Sequence, residues 1–174
     1  VAVHADIDDD DQTVVIRQPK LKTTATIGGK KEATVAKELV LEDKVTYTGL
    51  TPGKEYTVKG ALMDKSTGKK LLVDGKEITA EATFTPEKSE GEVTVTFKFD
   101  GSKITAKTNL VVFETLYRDG KELTAHADIN DEGQTVTLTP EQPKTPTPDV
   151  PKTGDDRNIT LPLILLGASL AGLA

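Results

Sequence analysis

A histidine and a glutamine eight residues apart occur at two places in the chain, in the segments HADIDDDDQTV and HADINDEGQTV. The first pair is His4 and Gln12, and the second pair, His126 and Gln134, lies 122 positions further along. A neutral imidazole can take a proton from a nucleophile, and an amide carbonyl can be attacked by one. A repeat of this length corresponds to a whole domain. We therefore expect residues 1–17 to end a preceding repeat and residues 18–140 to form one complete domain.

Four polar side chains fall on strand faces that are otherwise apolar: Thr23, Asp43, Glu114 and Gln134. Successive side chains of a strand point to opposite faces, so a polar residue in register with apolar ones is directed into the core. The same parity directs Thr24 outward. A buried carboxyl or amide costs free energy unless it is paired. Each residue has a structural explanation on its own, as a turn-forming, capping or hydrogen-bonded side chain, but the set predicts a buried polar cluster.

Short alternating runs rich in Thr and Val predict the strands that position this cluster. They occupy residues 21–27, 43–50, 55–63, 70–73, 78–84, 92–99, 110–117, 122–127 and 134–139. Thr51-Pro52-Gly53 and Asp119-Gly120 are turn signals. No segment has a sustained helical period, although residues 31–41 have room for a turn or two of helix. The pattern predicts an all-β fold, an immunoglobulin-like β-sandwich.

Composition narrows the chemistry. The 174 residues include no cysteine, which rules out disulfides and thiolate metal sites, and we predict no cofactor. A formal charge of −6 with few aromatic residues argues against a nucleic-acid partner. There is no Met at position 1 and no secretory leader, so we expect the chain to be the C-terminal part of a longer protein.

The composition changes after Pro140. Residues 141–149 alternate proline with polar residues, which predicts an extended spacer. Residues 159–174 carry no charge, and this run of 16 is shorter than the roughly 20 residues that span a bilayer. Between them lie Val150, Pro151, Lys152, Thr153 and Gly154.

This tail resembles a Gram-positive cell-wall sorting signal, a Leu-Pro-x-Thr-Gly motif followed by an apolar segment and a basic end. Val150 stands in place of the leucine and the basic end is missing, so residues 150–174 are interpreted as a sorting signal with a truncated membrane segment. The resemblance implies that a sortase cuts between Thr153 and Gly154 and joins the threonine to peptidoglycan or a pilin. The alternative is a proline-rich linker that leads into an ordinary membrane anchor.

The complete domain resembles the T-Q ester-bond domains of bacterial surface adhesins, including the VaFE-type repeat proteins. The matching features are the Thr23-Thr24 pair, Asp43 in DKVTYTGLTPGKEY, Glu114 in VVFE, and the His–Gln segment HADINDEGQTV. The resemblance covers about residues 21–140. It implies that Thr23 attacks the side-chain amide of Gln134, which forms an intramolecular ester and releases ammonia.

The resemblance and the chemistry together suggest a role for each site residue. His126 is the predicted base, because a threonine hydroxyl is a weak nucleophile until its proton is removed. Asp43 and Glu114 are the predicted acid pair, since two neighbouring carboxyls do not both ionise cheaply and one keeps a proton for the developing oxyanion. The reaction would occur once per molecule, so we do not expect a turnover enzyme.

These features predict a secreted stalk domain of a Gram-positive surface adhesin or pilin-like protein, crosslinked by its own ester and anchored to the cell wall. The expected partners are a sortase, peptidoglycan, neighbouring tandem repeats and an unknown host ligand. Three alternatives are weaker. Lys22 points outward by parity, which disfavours a Lys–Asn or Lys–Asp isopeptide bond, and a ligand-binding adhesin head would need a distinctive exposed surface. Calcium binding by Asp128, Asn130, Glu132 and Gly133 would resemble an EF-hand loop, but Thr139 replaces its acidic twelfth ligand.

Overall fold

A computed structural model describes residues 18–141, which form an all-β domain. The predictions for the preceding-repeat strand (residues 1–17), the spacer (141–149, apart from residue 141) and the sorting signal (150–174) lie outside the described residues. Within residues 18–141, no helix is long and apolar enough to cross a membrane.

Twelve strands are described between Lys20 and Thr139. They are β1 (Lys20–Ile27), β2 (Glu32–Thr34), β3 (Leu39–Thr48), β4 (Tyr56–Asp64), β5 (Lys69–Lys70), β6 (Leu72–Val73), β7 (Lys76–Glu77), β8 (Thr79–Phe84), β9 (Gly91–Phe99), β10 (Thr108–Arg118), β11 (Lys121–His126) and β12 (Thr135–Thr139).

Two sheets form the sandwich, and a two-stranded hairpin of β6 and β7 accompanies them. The first sheet has the order β1-β3-β9, and the second has β2-β12-β10-β4-β5, with β11 also on β10 and β8 also on β4. Apolar side chains alternate along β3, β9 and β10 and meet between the sheets, where Leu41, Phe97, Val58, Leu62 and Leu116 are fully buried. The predicted sandwich is confirmed.

The chain crosses from the first sheet to the second at Gly28-Gly29, between β1 and β2. Both glycines have positive φ, 56° and 75°, a conformation that glycine adopts without steric cost. The chain leaves the first sheet there, and β2 then pairs with β12 of the second sheet in parallel. The Ala25 N–H donates to the Gly133 carbonyl and, further along both segments, the Thr137 N–H donates to the Lys31 carbonyl. The first and last strands therefore run in the same direction, and the described chain enters and leaves at opposite ends.

Strand positions agree with the sequence pattern to within a few residues, with one exception. Residues 31–41 contain no helix but hold β2 and the start of β3. Pairing of β2 with β12 and burial of Leu39 and Leu41 decide this segment, because such tertiary contacts override weak helical propensity. At Asp119-Gly120 the positive φ angles, 50° and 74°, fit the predicted hairpin turn between β10 and β11.

Candidate functional site

The four polar residues predicted to face inward are the four buried polar or charged residues of the described chain. Asp43, Glu114 and Gln134 are 0% exposed, and Thr23 is 3% exposed. The first sheet supplies Thr23 from β1 and Asp43 from β3, while the second sheet supplies Glu114 from β10 and Gln134 just before β12. The cluster therefore lies between the sheets and is enclosed by both.

Glu114 is the centre of this cluster. The Gln134 side-chain amide donates from Nε2 to Glu114 Oε2 at 2.5 Å. Asp43 and Thr23 also lie close enough to Glu114 to change the pKa of its carboxyl. Main-chain pairing fixes the arrangement, because Ala25 on β1 is opposite Asp43 on β3. A hydroxyl, an amide and two carboxyls thus share one water-excluded space.

Several oxygens of the cluster have no hydrogen-bond partner among the described residues. They are Thr23 Oγ1, both carboxyl oxygens of Asp43, Glu114 Oε1 and Gln134 Oε1. Buried polar atoms are nearly always paired, and an unpaired one costs about 1–3 kcal/mol. A proton held between the two carboxyls would give some of these oxygens a donor. The Thr23 hydroxyl oxygen and the Gln134 carbonyl oxygen would still have no partner among the described residues.

The carboxyl pair is strongly perturbed. Burial, followed by the neighbouring Asp43, raises the pKa of Glu114 to about 11. Burial also raises the pKa of Asp43, but the neighbouring Glu114 carboxyl, which can share its proton with Asp43, and the charges of Lys31 and His126 oppose that rise. Glu114 therefore keeps the proton at neutral pH, and Asp43 is the member of the pair that ionises more readily.

His126 lies at the end of β11, opposite Glu114, but it does not contact the Thr23 hydroxyl at hydrogen-bond distance. Its Nε2 pairs with Asp131 Oδ2 at 2.7 Å, and its Nδ1 lies 3.4 Å from the Leu21 carbonyl oxygen. Leu21 is two residues before Thr23 on β1. The Nδ1 side of the ring therefore faces the strand that carries the hydroxyl, and Asp131 fixes the orientation of the ring.

The peptide before Gln134 is held on both sides. Asp131 Oδ1 accepts from the Gly133 N–H at 2.7 Å, and the Gly133 carbonyl accepts from the Ala25 N–H at 2.9 Å and from Lys31 Nζ at 2.5 Å. A Cβ on Gly133 would lie 2.9 Å from Asp131 Oδ1, so a side chain at this position would displace the carboxyl that holds the peptide. This network sets where the Gln134 side chain enters the cluster.

Sequence reasoning missed Asp131 and Lys31. From its sequence the acidic loop is considered only as a weak calcium site, but Asp131 in this loop holds both His126 and Gly133. A signal was available, because an aspartate lies five residues after the histidine in both copies of the repeat, at Asp9 and at Asp131. No comparable pattern marks Lys31. In the part of the chain that the structure describes, no group of three or more His, Asp or Glu side chains could hold a metal ion.

A family model for the T-Q ester bond containing domain matches residues 19–138. The chain belongs to this family. The match covers the whole described T-Q domain apart from a few terminal residues, including all five predicted site residues. No curated protein sequence matches the chain.

Two solved structures share the fold of this T-Q domain. Both are of a bacterial adhesin from Mobiluncus mulieris, described as containing intramolecular disulfide, isopeptide and ester bond cross-links, in two crystal forms. They match at 18% and 20% identity with TM-scores of 0.59 and 0.58, and each match covers 72% of this chain and 58% of the adhesin chain. The chain thus spans little more than half the length of these neighbours.

The raised pKa values of Glu114 and Asp43 predict how the stability of the T-Q domain depends on pH when Thr23 cannot react. Both carboxyls hold their protons more tightly in the folded state, so unfolding releases protons above their ordinary pKa values. In a Thr23→Val variant, the stabilisation from these protons is fully present below about pH 4 and is lost as the pH rises toward 11. Urea unfolding at several pH values measures it.

The control adds Glu114→Gln to the Thr23→Val background. Glutamine is neutral at every pH, so the free energy of unfolding should fall less steeply as the pH rises. Above about pH 5, the stability of the double variant should therefore increase relative to that of the single variant. Identical pH dependence in the two proteins would contradict a protonated Glu114.

Proposed function

We propose that Thr23 and Gln134 react with each other to form an intramolecular ester. The observation that carries this proposal is the burial of an unpaired threonine hydroxyl and a glutamine amide in one cluster around Glu114, whose Oε2 accepts from Gln134 Nε2 at 2.5 Å. Membership of the T-Q family supports it.

The reaction is balanced without a co-reactant. Thr23 Oγ1 bonds to Cδ of Gln134, the Cδ–Nε2 bond breaks, and the nitrogen leaves as ammonia. The nitrogen gains one proton from the site and the hydroxyl gives one proton to it, so the site returns to its starting protonation state. Burial favours this exchange because it holds the groups together and excludes the water that would hydrolyse the ester. The process runs once per chain and is self-processing rather than enzymatic turnover.

We assign the removal of the Thr23 proton to His126. With Nε2–H donating to Asp131, Nδ1 is the nitrogen left to act as the base, once it turns from the Leu21 carbonyl toward the hydroxyl on β1. The ring has to shift before Nδ1 reaches the Thr23 hydroxyl. Catalytic hydrogen bonds are often long before the reaction and shorten only as it proceeds. The imidazolium that forms would be stabilised by Asp131 and by ionised Asp43.

We assign the proton that the leaving nitrogen needs to Glu114. Glu114 Oε2 accepts from Gln134 Nε2 at 2.5 Å, so the carboxyl already lies beside the nitrogen that leaves. The raised pKa of Glu114 keeps this carboxyl protonated. This differs from the predicted acid-pair role, which placed the proton on the developing oxyanion. No group of the described residues donates to Gln134 Oε1, so the geometry favours protonation of the nitrogen over the oxygen.

The ester would allow the domain to carry a mechanical load. Thr23 is near the start of the first strand and Gln134 directly precedes the last, and the chain enters and leaves at opposite ends. A pulling force would therefore pass from β1 through the ester into β12, and the strands between would be shielded. This supports a stalk role in a surface adhesin or pilin-like protein, with a tandem repeat before the domain and the wall spacer after it.

Wall attachment is part of the same proposal. Its support is the order of spacer, Val150–Gly154 motif and apolar run in the sequence, together with the fold shared with a bacterial adhesin. We propose sortase and peptidoglycan as partners of this tail and the Gram-positive surface as the location, with a host ligand bound elsewhere in the full protein.

Two competing functions have less support. Lys22, the lysine that an isopeptide bond from β1 would use, is exposed. A ligand-binding head would have to use a surface such as the 630 Å³ groove on the outer face of the second sheet, lined by Met63, Phe113 and Tyr117. That groove includes no residue of the buried cluster.

Intact mass tests the ester directly. The full chain should be lighter than its calculated mass by one ammonia, and Thr23→Val should have its full calculated mass. Thr24→Val is the matched control, because it makes the same change on the exposed side of β1 and should still lose ammonia. A folded wild-type chain with its full mass would refute the ester.

A further inference from the structure

Lys31 lies immediately after the crossing between the sheets, and its side chain turns back toward the site. The ammonium group donates to the Ala25 carbonyl at 2.7 Å and to the Gly133 carbonyl at 2.5 Å. Most surface lysines keep the ammonium in water and retain their rotamer freedom. Lys31 differs from them. Its side chain is fixed by two main-chain carbonyls, those of Ala25 and Gly133, which are 108 positions apart in sequence.

The two carbonyls flank the reacting residues. Ala25 is two residues after Thr23 on the same face of β1, and Gly133 directly precedes Gln134. The single main-chain hydrogen bond between these segments runs from the Ala25 N–H to the Gly133 carbonyl at 2.9 Å. The ammonium adds a second link at the same place and fixes the separation of the two segments.

We propose that Lys31 is a positioning residue for the Thr23–Gln134 reaction, which ties the peptide before the amide to the strand that carries the hydroxyl. The inference rests on the proposed ester. Attack of the hydroxyl on the amide carbon requires close approach, and a misplacement of about 1 Å can slow such a reaction by about 10²-fold. A charge-assisted hydrogen bond is suited to preventing this, because it is stronger than a neutral one.

The charge of Lys31 has a second effect on the same site. Asp43 is faced by Glu114, His126 and Lys31, and the positive charge of Lys31 favours ionisation of Asp43. In turn, burial lowers the pKa of Lys31, while the charges of Asp43 and Asp131 oppose that lowering. Lys31 thereby helps to keep the negative charge on Asp43 and the proton on Glu114, the arrangement that the leaving nitrogen requires.

The test compares Lys31→Met, Lys31→Arg and the wild type as full chains. Each is isolated unfolded from insoluble protein, refolded by dilution, and sampled for the loss of ammonia by intact mass over time at several pH values. Lys31→Met should react about 10- to 100-fold more slowly than the wild type. The acidic limb of its pH–rate profile should move to higher pH, because the carboxyl pair loses a favourable positive charge. Lys31→Arg should recover part of the rate and the position of that limb.

Lys30→Met is the matched control. It removes the neighbouring exposed charge but neither of the two carbonyl contacts, so it should react at the wild-type rate. The pairs Thr23→Val and Thr23→Val/Lys31→Met, which form no ester, separate a loss of folding from a loss of reaction. The proposal is overturned if Lys31→Met reacts as fast as the wild type. It is also overturned if Lys31→Met reacts more slowly only in proportion to a loss of folded protein, and the acidic limb of its pH–rate profile does not move. A wild-type chain that keeps its full mass overturns the ester itself.

Discussion

Replacing Glu114 with glutamine is expected to slow formation of the Thr23–Gln134 ester by about 10²- to 10⁴-fold, the range that a positioned general acid contributes. Glutamine preserves the size of the side chain and can still accept a hydrogen bond from the Gln134 amide, so the geometry is retained. It cannot transfer a proton to the leaving nitrogen. Because Glu114 holds its proton up to a pKa of about 11, the wild-type acid is available throughout the neutral range. Refolding from denaturant, followed by intact mass over time, measures both rates.

Glu122→Gln is the control for this comparison, because it makes the same substitution at an exposed position of β11. It should lose ammonia as rapidly as the wild type. A Glu114→Gln chain that reacts at the wild-type rate would show that hydrogen bonding alone, without proton donation, is enough at this position. The assignment of the general acid would then have to pass to another group of the cluster.

Thr23→Val is expected to lower the free energy of unfolding by about 5 kcal/mol, because it removes the covalent closure of a 111-residue loop between residues 23 and 134. The figure follows the chain-entropy account of disulfides, applied here to an ester. Valine has nearly the shape of threonine and leaves no unpaired hydroxyl, so the substitution itself costs little in packing. Urea unfolding of the variant and the wild type at the same pH gives the difference.

Thr24→Val again provides the matched control, since Thr24 is exposed on the same strand and its replacement leaves the ester intact. The wild type and Thr24→Val should unfold at similar urea concentrations, well above that of Thr23→Val. A Thr23→Val variant as stable as these two, alongside a wild type that has lost ammonia, would mean that the ester constrains the unfolded chain far less than its loop length implies.

The sequence predicted the centre of the site because strand parity is a local property. Thr23 and Glu114 each interrupt an apolar face with period two, and burial of that face fixes where such a side chain must point. Asp131 and Lys31 could not be placed in the same way. Both lie in connections between strands, where no period applies, and their contacts depend on how the Gly28-Gly29 crossing and the loop before Gln134 fold back on each other.

The helix considered for residues 31–41 failed for a related reason. Its few apolar residues fit a turn of helix as well as strands, and the pairing of β2 with β12, more than 90 positions away, together with the burial of Leu39 and Leu41 decides between them. Long-range pairing of this kind leaves no mark on the local pattern.

The roles of His126 and Asp43 in the reaction remain predictions that rest on chemistry and on the family resemblance.

The parallel course of the first and last strands gives the domain a simple property as a link in a chain. With the ester in place, only the few residues outside the 23–134 loop can straighten under tension, and the loop holds back roughly 370–400 Å of extended polypeptide. A row of such domains would keep a nearly constant length under load and would transmit tension immediately. In the proposed stalk, the distance from the cell surface would then be set by the number of repeats, whatever the force applied.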